Sequence, residues 1–136
     1  MKFLVVAKSV EDPATRYRVA PIVRRIKARG DAVTAIYEPG FILQLRLIIL
    51  APFYDLIFIQ RKLMNPIIVW LLARISSHIV FDYDDAIFIK SSGKFSLTRR
   101  NRYKATVRES RLVIAGNKYL YEEAAVHGVQ VAMVPT

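Results

Sequence analysis

No cysteine occurs among the 136 residues, which removes disulfides, thiol nucleophiles and thiolate metal sites together and fits a reducing compartment. Glycine is scarce, with five residues in all. None falls in the stretch Lys8–Arg16 after the first apolar run, so the backbone there cannot approach a pyrophosphate as dinucleotide-binding turns do, which argues against an NAD-type site. The two histidines, His78 before a β-branched run and His127 at a helix end, assemble no nucleophile, base and orienter triad. Long uncharged apolar runs are also missing. The most hydrophobic region, 41–75, is broken by Arg46, Asp55, Arg61, Lys62 and Arg74, whereas a membrane-spanning helix needs about 20 largely uncharged residues. Met1–Ala7 opens like a signal peptide, but Lys8 ends the run too soon. Acidic residues are few: 11 against 21 Lys and Arg, a formal charge of +10 and an isoelectric point of about 10.2. A partner of negative charge is the first expectation.

What remains is a chain built to fold. It is 54% hydrophobic with a mean hydropathy of +0.27, too apolar for disorder and close to the length of one domain. Six β-branched runs read as buried strands: Phe3–Ala7, Val33–Tyr37, Leu56–Ile59, Ile79–Phe81, Leu112–Ala115 and Val131–Val134. Between them lie helical signals. Val19, Ile22, Val23 and Ile26 share a face that Gly30 terminates; Asn65-Pro66 makes a helix start; Asn117 and Gly128 bracket another helix. Strand and helix alternate throughout, which predicts an α/β, Rossmann-like, doubly wound and mostly parallel sheet of about six strands with helices on both faces. Phe41–Leu50 and Pro66–Ile75 are apolar nearly all round, so a covering partner, a homodimer in the simplest case, is expected.

In such sheets ligands bind beyond the carboxyl ends of the strands. Those loops hold Lys8–Arg18, Gln60-Arg61-Lys62, Asp82-Tyr83-Asp84-Asp85 and Gly116-Asn117. Arg16 and Arg18 can hold a phosphate or sugar, or can be solvated helix residues. Three carboxylates within four residues, Asp82, Asp84 and Asp85, repel one another and need compensation, whether from a metal, sugar hydroxyls, a proton to shuttle, or nearby arginines. Strand alternation would point Asp82 and Asp84 one way and Asp85 the other. Ser92-Gly93-Lys94 hints at a P-loop, but Phe95 stands where Ser or Thr should hold magnesium and Phe88 where the first glycine belongs. Finally, 90–111 sets eight cations against Glu109. Lys94, Arg99, Arg100 and Arg102 in this stretch read either as a solvated helix face or as contacts to an anionic membrane surface. Nucleic acid ranks lower, since Tyr103 is the one aromatic interleaved within that helix.

Taken in order, five segments resemble the N-terminal half of a glycosyltransferase family 4 enzyme of the two-domain GT-B fold. They are Thr15-Arg16-Tyr17-Arg18, Asp55–Arg61, Val80–Ala86, Leu112–Leu120 and Val131–Thr136. The resemblance implies an acceptor-side domain, inactive alone, whose C-terminal partner domain grips a nucleotide-sugar donor. It further implies a retaining, metal-independent transfer without a cofactor, to a glycan or lipid-linked acceptor, in the cytoplasm or peripherally at the inner face of the membrane. Asp84 and Asp85 become the candidate catalytic residues, and Arg16, Arg18, Arg61, Asp82 and Asn117 the candidate substrate contacts. Relatives often carry a glycine-rich first loop and a histidine after the fourth strand, and this chain has neither there. The alternative is a non-enzymatic basic α/β module that binds anionic membrane or nucleic acid.

Overall fold

The computed structural model describes residues 1–7, 15–37, 40–75, 78–89 and 92–135, without the side chains of Thr15, Arg16 and Phe41. Six strands, β1 (Lys2–Ala7), β2 (Ala32–Tyr37), β3 (Leu56–Gln60), β4 (Ile79–Tyr83), β5 (Leu112–Ala115) and β6 (Gln130–Met133), form one sheet in the order β2-β1-β3-β4-β5-β6. Every adjacent pair is parallel. The chain is therefore an α/β, Rossmann-like fold. Central strands buried on both faces must be apolar at successive positions, and Leu56–Ile59 and Ile79–Phe81 are.

The connections are the helices α1 (Ala20–Ala28), α2 (Phe41–Leu50), α3 (Pro66–Ile75), α4 (Leu97–Glu109) and α5 (Lys118–Ala125). A π-helical turn, Thr15–Val19, leads into α1, and a 3₁₀ turn, Ala51–Phe53, follows α2. Local chemistry sets their ends. Asn65 Oδ1 accepts from Ile67 N at 2.9 Å ahead of α3, and Ser96 Oγ accepts from Arg99 N at 3.3 Å ahead of α4. Gly30, at φ 86°, releases the chain from α1 into β2, a left-handed turn that costs glycine little.

Helices lie on both faces, unevenly. Leu47 of α2, Val69 and Leu72 of α3, Tyr103 and Val107 of α4, and Leu120 of α5 join Leu4, Ile57, Ile59 and Phe81 in the main core. On the other face, among the described residues, Val19 and Val23 alone bring helical side chains against Val5 and Phe58. The strands run past the expected ends at two places: Gln60 belongs to β3 and Asp82 to β4, both buried and paired in register. Asp82 is thus a strand residue inside the sheet and not a loop residue beyond it.

Candidate active-site cleft

β1 lies between β2 and β3, so the chain reverses direction across the sheet there, and the carboxyl edge beside β1 and β3 is where open α/β sheets place ligands. The loop 8–14 and the side chain of Arg16 lie outside the described residues. The next exit is Arg61, immediately after β3. Its φ is 56°, among the described residues the one positive value outside glycine. A left-handed arginine costs about 1–2 kcal/mol relative to an ordinary conformation, and strain of this kind concentrates at functional sites.

Arg61 is fixed at both ends. Its backbone N–H donates to the Asp82 carbonyl at 2.9 Å. Its guanidinium faces both carboxylates that follow β4, with Nη2 2.8 Å from Asp85 Oδ2 and Nε 3.6 Å from Asp84 Oδ1. Strand alternation ends with β4 at Tyr83, so Asp84 and Asp85 turn to one arginine instead of opposite ways. They differ in access: the Asp84 side chain is 13% exposed and that of Asp85 61%.

Asp82 faces elsewhere, onto Arg18. Arg18 Nε donates to both carboxylate oxygens at 2.9 and 3.1 Å, Nη2 donates to Oδ1, and Nη1 donates to the Val134 carbonyl at 2.9 Å. The two side chains are 7% and 3% exposed. Burial pushes the Asp82 carboxyl up from its usual range while the Arg18 hydrogen bonds pull against it; the same bonds hold Arg18 charged. The structure therefore engages Arg18 and Asp82 with each other and with the exit of β6. Asn117 is engaged too, its Oδ1 accepting from Leu120 N at 2.9 Å as the cap of α5.

The space beside Arg61 is a cleft of about 760 Å³ lined by Arg61, Lys62, Asp85, Gly93, Arg99 and Arg102, with four apolar residues from the loops 61–65 and 84–89. Two members of the basic stretch, Arg99 and Arg102, so share a site with the acidic pair. The reason is topological: α4 follows β4, and a helix between parallel strands starts at their carboxyl edge. Lys94 is exposed. Arg100 turns inward, its Nη2 3.2 Å from Glu123 Oε2 and its guanidinium 4.7 Å from the Phe88 ring centre. Lys62, named from sequence within the loop Gln60-Arg61-Lys62, and Gly93, named within the P-loop hint Ser92-Gly93-Lys94, were not among the candidate substrate contacts, yet both line the cleft.

Neither a family model nor a curated protein sequence matches this chain. Solved structures with the same fold do. HepE of Anabaena, in complex with UDP, superposes with a TM-score of 0.51 at 18% identity, over 99% of this chain and 44% of its own. The type II dehydroquinase of Butyrivibrio crossotus superposes with a TM-score of 0.55 at 18% identity, over 93% of this chain and 94% of its own. The chain thus spans less than half of the HepE chain, and at these identities the likeness establishes the Rossmann-like α/β fold.

Proposed function

We propose that residues 1–136 are the acceptor-side domain of a GT-B glycosyltransferase of the family 4 type, inactive alone. A C-terminal domain would grip the nucleotide sugar, and transfer to a glycan or lipid-linked acceptor would be retaining and metal-independent. The observation that carries this reading is the convergence of Arg61, Asp84 and Asp85 at the carboxyl edge of β3 and β4, opening on the cleft. The likeness to HepE bound to UDP over nearly the whole chain supports it. In this reading Asp85, the accessible carboxylate, contacts an acceptor hydroxyl. Arg61 positions it, and Asp84 holds Arg61 from the protein side. Exposed Phe95 and Leu97, flanked by Lys94 and Arg99, support work at the inner membrane face, and no described helix is long and apolar enough to cross it.

The test is sugar transfer by this chain alone and joined to a donor-binding half. Alone it should give none. Joined, Asp85→Asn should lower transfer at least about tenfold with an unchanged melting temperature, since an exposed carboxylate adds little to folding. Transfer by the isolated chain, or dehydroquinase activity in it, would overturn the reading.

A further inference from the structure

From the charges of the cleft we infer that its ligand carries a phosphate or diphosphate ester, held by Lys62, Arg99 and Arg102. This rests on the acceptor-side reading and adds the substrate class. Four of the lining side chains are cationic and one, Asp85, is anionic. Asp85 is already matched by Arg61 at 2.8 Å. Among the described residues no carboxylate lies within ion-pair distance of Lys62, Arg99 or Arg102; the Arg99 guanidinium donates to the Ile89 carbonyl at 3.2 Å, a neutral acceptor. Three like charges around one cleft repel unless an anion of comparable charge enters. A phosphate ester carries about −1.5 to −2 and three acceptor oxygens, and arginine forks suit such groups. Nucleic acid fits less well, because among the described residues no aromatic side chain lines the cleft for a base to stack on.

Two sources share this chemistry, a soluble sugar phosphate and a lipid-borne diphosphate. The exposed Phe95 and Leu97, lying between cleft residues Gly93 and Arg99, would face an acyl or prenyl chain in the second case.

Amide NMR of the 136-residue chain with inorganic pyrophosphate should move signals at 61–63, 93–99 and 102. The pair Lys62→Gln with Arg102→Gln should weaken binding about tenfold or more. Arg24→Gln with Arg25→Gln, an equal charge loss on the exposed side of α1, should not. Neutral vesicles with and without a prenyl diphosphate then separate the sources. Capture only with the diphosphate assigns a lipid-borne group, and pyrophosphate binding without capture assigns a soluble one. Equal losses in the two variant pairs, equal capture by plain anionic vesicles, or no pyrophosphate binding would overturn the inference. Failure here is separable from failure of the transferase reading. Transfer to a neutral glycan, uninhibited by pyrophosphate, would leave only the latter standing; pyrophosphate binding without any transfer by the joined enzyme would leave only the former.

Discussion

Arg18 and Asp82, 64 residues apart in sequence, form a buried ion pair that joins the entry of α1 to the middle of the sheet, and the same arginine holds the Val134 carbonyl. Removing one partner leaves a charge stranded in the interior. Asp82→Ala should therefore cost about 3–5 kcal/mol, whereas replacing both residues by apolar ones of similar size should recover most of it. Urea unfolding midpoints of the single and double variants check this; equal losses in the two would mean that the pair is not what sets stability there.

The tyrosines behind the cleft behave differently. Tyr83 donates to the Leu120 carbonyl at 2.7 Å, which leaves Tyr103 as donor in the 2.7 Å contact between the two hydroxyls. Burial pushes both phenols up, Tyr103 to about 12. Tyr83→Phe orphans a carbonyl and a hydroxyl and should cost about 2–3 kcal/mol. Tyr103→Phe removes one donor and should cost about 1 kcal/mol. Thermal unfolding of both variants tests the order, and a reversed order would mean that the proton directions are wrong.

His127 gives the fold a pH dependence of definite sign. Burial lowers its pKa from 6.5, and Arg108, Lys104 and Arg100 add to the effect. A depressed folded-state pKa contributes stability above the unfolded value, lost as pH falls through the folded one. Unfolding midpoints should decline from pH 7.5 toward pH 5, and His127→Gln should flatten part of that slope. An unchanged slope would assign the decline to other groups.

Helices α2 and α3 leave Ile42 81% and Trp70 49% exposed, with Leu45, Ile49 and Ile67 nearby on the same two helices. Apolar patches of this kind seek a cover. The isolated chain should self-associate at high micromolar concentration, and Ile42→Lys with Ile67→Lys should shift it toward monomer. Sedimentation velocity distinguishes the two states, and a parent that is already monomeric would contradict the expectation.

Much of this architecture is legible in the residues because parallel strands advertise themselves: the six β-branched runs match β1 to β6 within two residues at either end. Phe41–Leu50 and Pro66–Ile75 coincide with α2 and α3. The strand ends at Gln60 and Asp82 are hidden, since a polar residue extends a buried strand only when a partner far away in sequence, here Arg18 for Asp82, makes it tolerable. Periodicity carries no such information. Arg61, Asp84 and Asp85 were visible as types in adjacent loops, but their mutual arrangement depends on a left-handed φ that arginine rarely adopts. Arg99 and Arg102 read as a solvated face or as contacts to an anionic membrane surface, not as cleft residues, because charge spacing on a helix does not say which end of the sheet that helix begins at.

The uneven layering of the helices has a consequence for motion. α1 contains no buried residue and β2 none either, so the corner they form is held by the β1–β2 ladder and by the Arg18 clamp at its entrance, with little buried hydrocarbon. Cooperative units of low contact density open first. Native-state amide exchange should therefore show β2 losing protection well before β3 and β4, through a partial opening that leaves the Arg61 corner folded. The molecule would then breathe at one edge while its cleft stays rigid.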